Sequence, residues 1–421
     1  MPPSAAPPTP GIPVPPARAA ALRVLALLAA AELLGMSAWF AANAVAPQLE
    51  RLWHLDAAGA GWLTTVVQLG FVAGTAVAAV LNLADLVPAR YYFAACATLA
   101  AAANLALLAV SDYRAALATR FLTGCFLAGV YPPGMKMAAT WFREYRGLAI
   151  GTVVGALTVG KAMPYLVHSL RGASVTQVVT FSSACGLLAA LLVALLYRDG
   201  PFAFPRRAFS WRLVATVARH RETRLATAGY LGHMWELYAM WIWVPAFLAA
   251  SAAARRVAGL AAPDAHTVDV LSFATLAVGG AGCVWGGWWA QRAGYARVVT
   301  RAMAVSGACA LAVGFAFGAS PWVLMPLVAC WGFFVVADSA QFSALVTEVA
   351  PPHAVGTALT LQTSLGFLLT MVTIQMVPAL AAALGWRWAF PVLALGPAFG
   401  IAAIARLDRA HAGRSAAHSH G

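Results

Sequence analysis

Residues 175–197 read VTQVVTFSSACGLLAALLVALLY, a run with no charged side chain and few strongly polar ones. A helix of about 20 such residues crosses the apolar core of a bilayer. Eleven comparable runs accompany it, at roughly 19–47, 59–81, 91–111, 115–138, 147–169, 225–250, 269–290, 297–318, 322–345, 357–382 and 388–406. In chain order these are helices 1–12. Twelve crossings use about 240 residues of the chain. The rest is short loops and two tails. Backbone groups in lipid must find partners within their own segment, so the runs are read as helices. The fold class expected is an all-α integral membrane protein.

Composition agrees. The 421 residues are 62% hydrophobic and 10% charged. Soluble domains are nearer one quarter charged, and a soluble enzyme built this way would expose far too much apolar surface. Continuous rather than alternating apolar runs exclude a transmembrane β-barrel. The six cysteines all lie inside apolar runs, show no CxxC spacing, and are read as small core residues without metal or redox duty.

The formal charge is +13. Such an excess can mark nucleic-acid binding, but here the basic residues sit in the short loops between runs. With both tails inside, cytoplasmic segments hold 18 Arg and outside loops six. That asymmetry places both termini and the central loop in the cytoplasm. A bacterial inner membrane is expected, with no nucleic-acid partner and with function as a monomer.

The divisions expected are a disordered tail (1–18), a six-helix bundle (19–197), a basic linker (198–224), a second six-helix bundle (225–406) and a tail (407–421). The first 17 residues are rich in Pro and Ala and lack the basic start of a signal peptide. The last stretch carries His411, His418 and His420 and reads as a solvated end.

The two halves repeat. ELLGMSAW (32–39) in helix 1 parallels ELYAMWIW (236–243) in helix 7, LADLVPAR (83–90) parallels WAQRAGYAR (289–297), and Gly147 opening helix 5 parallels Gly356 opening helix 11. Duplicated units with a site between them near the bilayer midplane are a transporter signature.

At these residues the chain resembles the major facilitator superfamily of secondary transporters. The loop after helix 2 is similar to that family's G-x-x-x-D-R-x-G-R-R element at Asp85 and Arg90. The loop after helix 8 keeps Gly287, Arg292, Gly294 and Arg297, with Gln291 where the acid would stand. The resemblance implies a charge-relay clamp, a loop that gates on the cytoplasmic side. Arg120-Phe-Leu-Thr-Gly124 resembles the R-x-x-x-G element of helix 4, which implies an interior Arg involved in proton coupling. Gly151, Gly155 and Gly160 partly resemble the Gly-rich antiporter motif, without its Gly-Pro. The family fold implied has two pseudo-symmetric bundles, with helices 1, 4, 7 and 10 lining the cavity.

Charged residues inside spans are costly and mark function. Glu32 and Glu236 lie near the middles of helices 1 and 7 and are candidates for proton or substrate handling. His233 stands three residues before Glu236, on the same face. Asp338, deep in helix 10, has Val130 as its repeat counterpart, so an acid in one half only suggests a task. Lys161 is one of two lysines, the other being Lys136 near the end of helix 4. A buried ammonium needs a counter-ion or an anionic substrate, so Lys161 pairs with Glu32 or another acid, or with Arg120 holds a carboxylate or oxyanion, or snorkels towards the interface. Trp39, Trp235, Tyr238 and Trp243 are candidate pocket walls. An aromatic wall suits an organic solute or a cation.

No GxxxxGK[ST] loop is present, so ATP is not the expected energy source. No cofactor, metal or enzymatic activity is expected. The functional expectation is a secondary transporter of a small organic or anionic solute, coupled to protons and working by alternating access. Two alternatives stay open: a proton-coupled exporter of hydrophobic or cationic compounds, and a non-transporting membrane receptor.

Overall fold

The computed structural model describes residues 18–81, 83–170, 173–202 and 210–419, with backbone alone at 84, 85 and 411–419. The described residues are helical and contain no strand. Eleven helices are long and apolar enough to cross a membrane: Arg18–Ala38, Ala57–Val80, Ala89–Ala109, Arg146–Ser169, Val175–Leu196, Arg221–Val257, Ala265–Ala293, Tyr295–Ala316, Pro321–Val349, Val355–Leu384 and Trp386–Ala410. The remaining crossing, helix 4, is two pieces, Tyr113–Leu127 and Tyr131–Ala139.

Short polar residues stop and start these helices. Asp56, Asp112 and Asp264 cap helices 2, 4 and 8 by accepting backbone N–H groups of the first turn. Ser174 and Gln177 form a reciprocal capping box on helix 6. Helix 7 begins at Arg221, ahead of the apolar run, because the His220 ring accepts from the Thr223 N–H. The basic linker also contains a helix of its own, Trp211–Arg219, which turns Val217 inward. Helix 12 runs on to Ser419 through its Ala-rich end, where a flexible tail was expected. Residues 1–17, the side chain of Asp85 and the side chains of His411, His418 and His420 lie outside the described part.

Packing repeats with the sequence. Helix 2 lies on 4 as 8 lies on 10; 3 lies on 6 as 9 on 12; 3 lies on 4 as 9 on 10; 1 lies on 6 as 7 on 12; and 1 lies on 5 as 7 on 11. Two further pairs, 5 with 8 and 2 with 11, join the first six helices to the last six and exchange under the same symmetry. The seam between helices 5 and 8 is backbone on backbone. A side-chain carbon at Gly151 would stand 2.7 Å from the Cys283 carbonyl oxygen, and one at Gly155 would stand 2.6 Å from that of Gly280. Only glycine allows this approach.

Three helices break near their middles. Helix 1 passes into a 3₁₀ turn at Met36–Ala38 and turns at Trp39 and Phe40. Helix 4 breaks just before Pro132 and Pro133, which cannot donate to the preceding turn. Helix 10 breaks at Asp338, the counterpart of Val130 at the helix 4 break. The repeat therefore reproduces the interruption in helices 4 and 10, whereas helix 7, the partner of helix 1, runs unbroken over Arg221–Val257.

Candidate functional site

The site lies where helices 1, 4, 5, 7 and 11 meet. Lys161 projects from helix 5 and is 3% exposed. Its Nζ donates to Tyr238 Oη of helix 7 over 2.6 Å. It also stands 4.1 Å from the ring centre of Trp39, 4.9 Å from Tyr238 and 5.3 Å from Trp241. Trp39 comes from helix 1, so rings from both halves of the chain surround one cation. Phe71 and Phe367 continue the cluster, with Trp39 5.3 Å from Phe71 and Phe71 4.5 Å from Phe367. Each desolvated cation–ring contact contributes up to about 2 kcal/mol, which offsets much of the cost of burying an ammonium.

Glu32 lies across the same centre, fully buried. Its carboxyl sits against Gly134 of the second half of helix 4, where any side-chain carbon would overlap Oε1. Neither of its oxygens has a hydrogen-bond partner. It interacts electrostatically with Lys161 and Tyr131 without forming an ion pair with the lysine. The Lys161–Glu32 pair that the sequence allowed is therefore not formed in this state. Lys161 takes the rings instead.

The repeat partner of Glu32 is placed differently. Glu236 Oε2 accepts from Ser306 Oγ over 2.8 Å, and Oε1 accepts from Trp331 Nε1 over 2.7 Å. One turn away, His233 Nδ1 lies 2.9 Å from Asp338 Oδ1, and His233 Nε2 lies 2.8 Å from Ser339 Oγ. His233, Glu236 and Asp338 thus gather inside the last six helices, in a polar cluster apart from the Lys161 cage.

Arg120 is in neither group. Its guanidinium donates to the carbonyls of Ala38, Trp39 and Leu63 and to Asn104 Oδ1. The carbonyls of Ala38 and Trp39 lie at the break in helix 1, and Arg120 supplies their donors. Arg120 and Lys161 therefore do not form the joint anion clamp considered from sequence.

Among the other candidates, Trp39 and Tyr238 wall the Lys161 cage. Trp235 donates to the Val392 carbonyl on the opposite side of helix 7. Trp243 donates to the Ile374 carbonyl and packs beside Gly61, joining helices 7, 11 and 2. In the loop elements, Arg90 stacks on Tyr91, Arg292 on Trp288, and Arg297 is exposed.

Sequence reading missed Trp241, Phe71, Phe367, Tyr131 and Gly134 around the cage, and Asn104, Ser306 and Trp331 as polar partners. In this chain aromatic residues are common, so these gave no separate signal; only the Pro-Pro-Gly after Tyr131 hinted at a special backbone. Gln68 and Gln362, on helices 2 and 11, were missed too. Both amide ends of each are buried without a partner.

At the face away from the termini, helices 5 and 8 are clasped. His168 Nδ1 lies 2.9 Å from Asp269 Oδ2, and His266 Nδ1 meets the Ser169 carbonyl. Thr65 accepts from Gln375 between helices 2 and 11 on the same side. A partly exposed contact of this kind contributes up to about 1 kcal/mol, a roughly fivefold change in an opening equilibrium. Asp269→Asn is accordingly expected to raise thiol labelling of Ser169→Cys from that face roughly fivefold. An unchanged labelling rate would show that the clasp does not restrain opening.

The family model of the Major Facilitator Superfamily matches residues 28–373. The chain belongs to the Major Facilitator Superfamily. Its fold is that of solved transporters of the superfamily. A mutant of the nucleoside transporter NupG superposes with a TM-score of 0.66 at 14% identity, covering 92% of this chain and 99% of that one. A bacterial homolog of the human lysosomal transporter Spinster, in an inward-facing and unoccupied conformation, gives 0.64 at 15% identity, covering 93% and 95%. Its inward-facing, occupied form gives 0.66 at 15%, covering 94% and 98%. No curated protein matches the chain in sequence. The superfamily assignment makes the chain a multi-pass membrane transporter, not an enzyme, and accounts for the packing symmetry above.

Proposed function

We propose that this superfamily member moves a small organic or anionic solute by alternating access, coupled to protons, with Lys161 as the solute's counter-charge and Glu32 as the proton site. The observation that carries this reading is the sealed centre. An ammonium there is held by ring faces from both halves, and a carboxyl beside it has no donor at all. A buried carboxylate without donors or a bonded cation costs several kcal/mol. A proton on Glu32 removes that cost, and its release exposes it again. The Lys161–Tyr238 bond bridges helices 5 and 7, so a solute that takes Lys161 from Tyr238 loosens one half from the other. A ligand drives such a change only by binding the two states differently, and this exchange of partners supplies the difference.

His233, Asp338 and Glu236 form a second candidate station for the proton, inside one half. The gating role proposed for the loops at Asp85, Arg90, Arg292 and Arg297 rests on the resemblance of those elements alone. The arginine asymmetry supports cytoplasmic termini in a bacterial inner membrane. Export of lipophilic cations is the weaker reading, because the ring box that would take a cation already holds the chain's own ammonium.

The test is solute flux into proteoliposomes under an imposed pH gradient. Glu32→Gln, which mimics the protonated acid, is expected to keep solute exchange within about threefold. The same variant should lose gradient-driven accumulation at least tenfold. Full gradient-driven accumulation in Glu32→Gln would remove Glu32 from the coupling step.

A further inference from the structure

Resting on that reading of the site, we infer that the solute is a monovalent organic anion and that one proton crosses with each molecule, so that transport is electroneutral.

The argument is a charge count in a closed, water-excluding centre. The groups facing it are few. Helix 1 contributes Glu32, helix 4 Tyr131, helix 5 Lys161, helix 7 Tyr230 and Tyr238, and helix 8 Cys283. Phenols and a thiol are uncharged in their ordinary state. Beyond them, Asp338 and His233 answer one another at 2.9 Å, and Glu236 has its own two donors within the last six helices. These last three make no contact with Lys161 or Glu32, so their charge is common to the empty and the loaded site. What changes on loading is confined to Lys161, Glu32 and the solute.

An uncompensated charge in such a place is strongly disfavoured, so the states that cross are the neutral ones. Without solute, the centre is neutral when Lys161 and Glu32 carry one titratable proton between them, as ammonium with carboxylate or as amine with carboxylic acid. With one monovalent anion on Lys161, neutrality requires a proton on Glu32. The step balances: the anion replaces Tyr238 Oη as the acceptor of Nζ, one proton from the same side binds a Glu32 oxygen, and no bond other than that O–H forms. A dianion would leave the loaded centre at −1, and a cation would leave it at +1 or +2. The rings of Trp39, Phe71, Tyr238, Trp241 and Phe367 provide apolar faces, so the anion's body is organic.

The experiment uses the full chain in proteoliposomes and three probes of similar aromatic bulk: mandelate (monovalent), phthalate (divalent) and benzyltrimethylammonium (cationic). Accumulation under a pH gradient is measured with and without a potassium–valinomycin potential of about 118 mV, inside negative. That potential shifts the equilibrium ratio of a carrier moving one net charge about a hundredfold, at 59 mV per tenfold. The expected result is mandelate accumulation that follows the pH gradient and changes less than twofold with potential, with phthalate and benzyltrimethylammonium at least tenfold lower. Mandelate accumulation that follows the potential overturns the one-to-one stoichiometry and leaves the proton-coupled transporter standing. Accumulation only of phthalate or of benzyltrimethylammonium overturns the charge class and likewise leaves the transporter. If none of the three accumulates, the inference and the reading of the site beneath it both fall. Mandelate counterflow in Glu32→Gln vesicles separates the roles further. It is expected to persist, and its loss in a variant that purifies as a folded species would place Glu32 in solute binding instead of proton carriage.

Discussion

Lys161→Met is expected to stop transport while leaving the protein at least as stable as the native chain. The two effects come from one residue for separate reasons. The ammonium is buried to 3% exposure and held by three ring faces and one hydroxyl, with no carboxylate paired to it. Exchanging a buried charge for an apolar side chain of similar volume removes its desolvation penalty and is often neutral or stabilising. Met also keeps contact with the rings through its sulfur. Loss of the sole cation in the cage, however, costs an anionic solute about 2–5 kcal/mol of binding, or roughly thirtyfold to several thousandfold. The check pairs a thermal-unfolding midpoint in detergent with uptake in proteoliposomes. A midpoint at or above native with flux down at least thirtyfold is the expected pairing. Native flux in Lys161→Met would end the counter-charge assignment.

Arg120→Leu is expected to do the reverse of what its place in the R-x-x-x-G element suggests. It should fail as a scaffold before it can be scored as a coupling residue. Four acceptors depend on this guanidinium, including the carbonyls of Ala38 and Trp39 at the break in helix 1. Each buried carbonyl left without a donor costs about 1–3 kcal/mol. The summed loss is at least about 3 kcal/mol on that scale, enough to lower the yield of monodisperse protein several-fold and depress the unfolding midpoint. Trp39 is also one of the Lys161 rings, so surviving protein should show a disturbed cage through altered tryptophan fluorescence. Protein with a native midpoint and lost flux would instead make Arg120 a residue of the solute path.

The pair Glu32 and Glu236 shows how far a repeat can be read. Their shared Glu, Leu, Met and Trp pattern announces equivalent helices, and the structure places them as equivalents. Yet Glu236 receives two donors from helices 9 and 10, whereas Glu32 meets the bare backbone of Gly134 and receives none. Nothing in the sequence flanking either Glu distinguishes them in this respect. The difference is made by helices far away in the chain. Arg120 teaches the same lesson. A motif named it as interior and functional, but its acceptors are mostly carbonyl oxygens, which every residue carries and no residue type announces.

What the sequence determined by itself was the solvent and the architecture. Apolar runs of membrane length leave helices as the only structure that satisfies the backbone in lipid, loop arginines bias the orientation, and the repeated segments foretell two related halves. It also narrowed the chemistry to a handful of in-span charges, because each is too costly to be incidental. Which of those charges share a site was decided only by the tertiary structure. Lys161 turned to rings and not to Glu32, and His233, Glu236 and Asp338 gathered elsewhere. The reason is physical: burial depends on one side chain's own hydropathy and adds up along a run. Partnership depends on distance and direction between helices, and in this chain those are set by glycine seams, three helix breaks and the packing of the whole bundle.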